Sequence, residues 1–186
     1  FNDNEGEAEG YKEARRMLEE AVSVASAAHV DMKTLSRLST NVAGGILHTI
    51  REYDCGEVLV CLTDRTTGMP KSSLGPVIDH VIGGTNRQVM AVRLIVPPGT
   101  LRRLIVAVPQ KAEYEAGFYK WLEHMCRMGE QFDCLLEFNA HPDTLSHIKS
   151  YMWRYHVSLR AEYIEMALWT KVLSLSQRAG ADDLVV

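Results

Sequence analysis

Leu104-Ile105-Val106-Ala107-Val108, closed at once by Pro109, is an unbroken apolar run of the length of one strand. A strand with one wet face would alternate apolar and polar side chains, so this run reads as a buried strand of a largely parallel sheet. Parallel neighbours cannot be joined by tight hairpins, and the flanking sequence should supply crossover helices. Downstream it does. Phe118, Trp121, Leu122, Met125 and Met128 line one helical face that should stop near Gly129, and Leu135-Leu136-Glu137-Phe138 reads as the next strand. Pro142 suits the first turn of a helix reaching about Trp153. Residues 160–165 form a third strand, Leu168, Val172 and Leu175 mark a helix ending near Gly180, and Asp183-Leu184-Val185-Val186 opens another strand.

Upstream the same alternation is found. Ala14, Met17, Leu18, Ala21, Val22, Ala25 and Ala28 recur at helical spacing, and residues 31–38 then alternate toward a strand. Behind a Ser39-Thr40-Asn41 start signal, Val42, Ile46, Leu47 and Ile50 give a second helical stripe. Val58-Leu59-Val60-Cys61-Leu62 is again a continuous apolar run, expected to be covered on both faces. After a loop rich in Thr, Gly, Pro and Ser, Leu74, Val77, Ile78, Val81 and Ile82 form a helix ending at Gly83-Gly84, and residues 89–96 read as a strand. Pro97-Pro98-Gly99-Thr100 cannot continue a central strand, which divides the chain into residues 1–98 and 99–186. Strands alternating with helices imply a doubly wound, mostly parallel α/β sheet. Residues 31–60 laid over 157–186 pair Leu38 with Ile164, Ile46 with Val172, Leu47 with Leu173 and Val58-Leu59-Val60 with Leu184-Val185-Val186, the mark of an internal repeat.

Composition narrows the function. The 186 residues are 46% apolar and carry a net charge of −4, so a real core is expected and broad electrostatic binding to nucleic acid is not. No apolar run approaches the roughly 20 residues needed to span a bilayer, and the acidic start Phe1-Asn2-Asp3-Asn4-Glu5 lacks the pattern of a secretory signal. Cys55, Cys61, Cys126 and Cys134 have no CxxC spacing and read as buried thiols of a reducing compartment. His124, Cys126 and Cys134 are the densest candidate metal ligands, followed by His141, His147 and His156. His124 and Cys126 stand two apart on a helix and face different ways, so no metal site is expected. No GxSxG elbow is present, and no catalytic residue is nominated.

The order of these elements resembles the universal stress protein family. Residues 11–96, with Leu74-Gly75-Pro76-Val77-Ile78-Asp79-His80-Val81-Ile82 in their last helix, are similar to the later two-thirds of one such domain. Residues 102–186, opening on Leu104-Ile105-Val106-Ala107-Val108-Pro109, are similar to the earlier two-thirds of a second copy. The resemblance implies tandem units of the adenine nucleotide alpha hydrolase-like fold. More narrowly, Lys120-Trp121-Leu122-Glu123, Cys126-Arg127-Met128-Gly129 and Ala140-His141-Pro142-Asp143-Thr144-Leu145 look like the tandem copies in the cytosolic C-terminal region of bacterial sodium/proton antiporters. That likeness implies a regulatory or dimerising tail at the cytoplasmic face of the bacterial inner membrane, with the transmembrane antiporter domain of the same polypeptide as partner. Pairing between two chains, or between the two copies, would use edge strands such as residues 89–96. The alternative is a stand-alone stress protein of the cytoplasm that binds an adenine nucleotide or another small ligand.

Many family members hold ATP with a G-x2-G-x9-G-[S/T] loop, where glycines let backbone N–H groups approach phosphate. Here Leu62 and Arg65 stand at the first two glycine positions, Gly75 matches the third, and Pro76 replaces the hydroxyl residue and removes an N–H. Asp64 would repel phosphate. The degraded loop leaves Asp64, Arg65, Gly68, Ser72 and Gly75 as candidate ligand contacts for some other anion. In the second copy the family's nucleotide-binding Asp corresponds to Pro109 or Gln110, so ATP is disfavoured as a cofactor there too. Phe118 and Trp121 are expected in the core, residues 151–155 at an interface, Arg102-Arg103 on a solvated edge or against anionic lipid, and Met17, Met125 and Met128 as core filling.

Overall fold

The computed structural model describes residues 3–37, 39–61 and 75–186, with side chains from residue 10 onward. The chain divides into two compact units, 1–55 with 75–85, and 56–74 with 86–186.

The smaller unit is helical. Helix α1 spans Asp3–Ala27, α2 Val42–Glu52 and α3 Pro76–Gly84. Asn41 caps α2 as its sequence foretells, its Oδ1 accepting from the Gly44 N–H at 3.0 Å. Ala43, Leu47 and Ile50 of α2 and Ile78 and Val81 of α3 are buried. Gly84 permits a close approach of these two helices, because a Cβ there would stand 2.4 Å from a Leu47 methyl. Two expectations are corrected here. Residues 31–37 form no strand, since no described strand lies beside them to take their backbone hydrogen bonds, and every one is exposed. Met17 is not core filling: it is 62% exposed, and Val24 of the same helix is exposed as well.

The larger unit holds two parallel sheets. Strands β1 (Glu57–Cys61) and β2 (Gln88–Val92) pair with Glu57 opposite Gln88. The expected double coverage of the first of these is not found. Its residues alternate between exposed and half-buried, leaving Leu59 62% exposed. The second strand stops at Val92, short of the expected 96. Strands β3 (Arg103–Ala107), β4 (Leu135–Ala140), β5 (Ala161–Glu165) and β6 (Asp183–Val185) form the other sheet in the order β5-β4-β3-β6, every neighbour parallel. Helices α4 (Phe118–Phe132), α5 (Pro142–Arg154) and α6 (Val172–Arg178) connect them. This is a mixed α/β architecture with parallel sheets.

The period of two along each strand sorts the four-stranded sheet into faces. Leu104, Val106, Leu136 and Phe138 join Phe118, Leu122 and Met125 of α4 and Leu145, Ile148 and Met152 of α5 in the main core. On the opposite face Ile105 packs with Met166 and with Leu175 of α6. Pro142 occupies the first turn of α5, as its fixed φ favours. Helix α4 runs three residues past Gly129 and ends on Asp133 in the left-handed region at φ 48°. Gly129 is spared as a packing contact instead: a Cβ there would stand 3.1 Å from Cγ of the fully buried Leu136. Overpacking at so rigid a site outweighs the gain of roughly 1 kcal/mol in helix propensity. Gly129→Ala is therefore expected to lower stability by about 1 kcal/mol, read as a fall in the thermal midpoint. A rise would show that the α4 to β4 approach is looser than this packing implies.

Pro97 leads into a 3-10 turn (Pro98–Thr100) that lies inside the larger unit. Lys120 and His124 of α4 both reach Glu57 at the start of β1, tying the first half of the chain to the second.

Candidate functional site

Among the described residues a polar cluster lies where β3, β4 and β6 start. Parallel register sets Arg103 directly beside Asp183, and Glu137 lies two residues beyond Leu135, which pairs with Arg103. Period-two geometry therefore places Arg103, Glu137 and Asp183 on one face of the sheet. Glu137 is 1% exposed. Its Oε2 accepts from Arg103 Nη1 at 2.9 Å, while Oε1 accepts from Asn139 Nδ2 at 2.9 Å and from Arg178 Nη2 at 3.1 Å. Arg103 also donates through Nε and Nη2 to Asp183 at 3.1 and 2.6 Å, a two-pronged pair.

The electrostatics follow from those contacts. Hydrogen bonding to Asp183 holds the Arg103 guanidinium above its ordinary value, against the opposing effect of burial. Arg103 in turn holds the Asp183 carboxyl below its ordinary 3.8, helped by the Gly180 N–H at 2.8 Å. Two guanidinium groups face two carboxylates, and both Glu137 oxygens are occupied. The cluster is thus a closed clamp across three strands and α6. Arg103 is accordingly removed from the expected solvated or lipid-facing edge, because its guanidinium is committed to two carboxylates; Arg102 remains exposed.

The opposite ends of the strands are where doubly wound sheets receive ligands, at the point where strand order reverses. Here that point lies between β3 and β6. Val108 is buried, and its N–H donates to the Asn139 carbonyl at 2.9 Å. Pro109 and Gln110 follow it, exposed and without an acid. Lys111 takes the left-handed region at φ 69°. Beside this turn Thr144 is fully buried and donates to Glu113 Oε2 at 2.7 Å, and the His141 ring caps α5 by accepting from the Asp143 N–H at 3.4 Å.

Of the loop residues that the sequence nominates, Asp64, Arg65, Gly68 and Ser72 lie outside the described residues. Gly75 is described. Its φ of 99° is a conformation that side chains resist, and its carbonyl opens α3 by accepting from the Asp79 N–H at 3.0 Å, with Pro76 next in line.

The histidines and cysteines separate. His124 turns toward β1, and Cys126 turns inward, its Sγ 3.4 Å from Met152 Sδ. Burial, followed by the negative charges of Glu130 and Glu123, pushes the Cys126 thiol up to about 11, which suppresses the thiolate. Cys134 is buried as well, but Cys55 is half-buried and Cys61 exposed, because β1 has an open face. Among the described residues no three His, Cys, Asp or Glu side chains are grouped to hold a metal ion. Phe118 is in the core as expected, with Trp121 packed edge-on at 5.5 Å. Outside them Tyr119 stacks on Tyr151 at 5.8 Å, Tyr151 meets Tyr155 at 4.6 Å, and Trp153 is 81% exposed.

One constellation escaped the reading of the sequence. Glu57 Oε1 lies 3.2 Å from Lys120 Nζ, and its Oε2 lies 2.8 Å from His124 Nε2. Those residues are 63 and 67 positions from Glu57, with no spacing motif between them. The only available signal was the i, i+4 placement of Lys120 and His124 on one helix face.

No protein-family model matches the chain. Over 148 residues it is 22% identical to the Na(+)/H(+) antiporter NhaS5 of Synechocystis sp., a match covering 78% of this chain and 21% of that protein. The chain spans about a fifth of the length of that curated relative. Among the described residues no helix is long and apolar enough to cross a membrane. The likeness links the chain to antiporter-associated proteins.

Proposed function

We propose that this chain is a regulatory or dimerising part of a membrane sodium/proton antiporter, held on the cytoplasmic side of the membrane and not itself catalytic. The observation that carries the reading is the likeness to NhaS5 over 148 residues. The absence of any long apolar helix among the described residues suits a segment that acts beside the transport domain. Two universal-stress-protein-like copies are the finer form of the proposal. In support, β3 to β6 lie in the spatial order third, second, first, fourth, the order with which a doubly wound unit begins. The parallel pair β1 and β2 would supply the last two strands of the preceding copy.

Within this reading neither copy holds ATP in the family's manner. Pro76 and Pro109 have no N–H to offer phosphate, and Leu62 and Arg65 bring side chains where the backbone would have to approach. Contacts between chains or copies are then the means of regulation.

The test is made on the whole polypeptide that contains this sequence. Deleting the segment is expected to leave sodium/proton exchange measurable in everted vesicles while shifting its dependence on pH or sodium, or the dimer fraction. A polypeptide without membrane-spanning segments would overturn the proposal. So would a deletion that changes none of those readouts. Equilibrium dialysis with magnesium and ATP is expected to show no micromolar binding, and such binding would restore the nucleotide-sensing alternative.

A further inference from the structure

We infer that Glu57, Lys120 and His124 form a proton-operated latch between the two sheets of the larger unit, closed when His124 carries a proton on both ring nitrogens. The inference goes beyond the proposed function and is tested on this chain alone.

Donors and acceptors fix the charge of the ring. His124 Nδ1 lies 2.7 Å from the Lys120 carbonyl oxygen, and Nε2 lies 2.8 Å from Glu57 Oε2. A carbonyl oxygen only accepts, and an ionised carboxylate only accepts. Glu57 is ionised throughout the neutral range, its carboxyl held below the ordinary 4.5 by Lys120 first and by His124 as well. Both ring nitrogens must therefore donate, and only the imidazolium has two N–H groups. A neutral ring satisfies one contact and turns a lone pair on the other acceptor at hydrogen-bond distance.

The surroundings fix the direction of the response. Among the described residues Glu57 from β1 pairs with the ring, and Lys120, one turn earlier on α4, shares that carboxylate through its Nζ. Glu123 and Arg127, the nearest charges along α4, pair with each other. Lys120 also donates to the Gly56 carbonyl at 3.3 Å, so one strut of the latch persists when the histidine loses its proton. Closure is thus fullest with the ring in its imidazolium form and weakens once either ring nitrogen loses its proton. At the acid end it fails only once Glu57 protonates, below its ordinary value.

Hydrogen exchange followed by mass spectrometry reads the latch. The peptide covering β1 is compared with that covering β5, which cancels global changes in stability. After correction for intrinsic exchange, relative protection of β1 is expected to fall about 2- to 5-fold between about pH 5.5 and about pH 8.5. His124→Gln should sit at the low value across that range. His124→Arg, a permanent cation with donors only, should stay high and flat. A wild-type ratio that ignores pH overturns the inference, and so does a pH response retained in His124→Arg. If His124→Gln does not fold, the arginine variant and Glu57→Gln, expected to be low and flat, still decide the matter.

Discussion

Glu137→Ala is expected to lower the unfolding free energy of the larger unit by about 3 kcal/mol, the lower end of what breaking a buried ion pair costs. The value sits there because the stranded partners are only partly enclosed, Arg103 being 27% and Arg178 45% exposed in their side chains. Both can recover water when the carboxylate is gone. Arg178→Ala should cost no more than about 1 kcal/mol, since Glu137 would keep Arg103 and Asn139. Urea denaturation followed by tryptophan fluorescence isolates the effect, because Trp121, Trp153 and Trp169 all belong to the larger unit. Equal losses from the two substitutions would show that the clamp is not centred on Glu137. The same cluster sets an acid limit. Because Arg103 depresses the Asp183 carboxyl, the stability of that pair is fully present above the ordinary value of 3.8 and is lost as pH falls through the lower, folded value.

On the other face of the same strand, Phe138→Ala is expected to cost about 4 kcal/mol. Phe138 is fully buried in the main core and stacks on Tyr163 with ring centroids 6.0 Å apart. Its loss leaves a cavity enclosed by a rigid sheet and two helices, which cannot collapse to fill it. Phe138→Leu, which keeps most of the volume, should lose no more than about 1.5 kcal/mol. Urea midpoints for the two variants check the ratio. A small loss from the alanine variant would mean that α4 and α5 close over the gap.

The adjacency of Glu137 and Phe138 shows what was legible in the sequence. Helical stripes, the Asn41 cap, Pro142 and the apolar run of β3 carry local signals, and each names its element without reference to the rest of the chain. A lone glutamate in Leu135-Leu136-Glu137-Phe138 carries a signal too, since a charge inside a buried strand must be paired. Its partners, however, come from 34 residues upstream and 41 downstream. No local period links them, so Arg103 read as a free edge charge. The failure at residues 31–37 has the same origin. Alternation makes a segment competent to be a strand, but a neighbouring strand makes it one. Of the five nominated loop residues Gly75 is the described one, and its φ of 99° is a conformation that favours glycine.

The register that sets Arg103 against Asp183 joins positions 80 residues apart. Synthesis from the ribosome runs in one direction, so β3, β4 and β5 all emerge before β6, which pairs with β3 on its other side. Until then Arg103 has one carboxylate within reach rather than two, and the edge of β3 away from β4 has no ladder partner. Formation of the β3–β6 pair is therefore expected to come late, after the local β3–α4–β4 and β4–α5–β5 contacts have formed. A nascent chain arrested between β5 and β6 would display an open apolar edge, a natural target for chaperones that act on incomplete sheets.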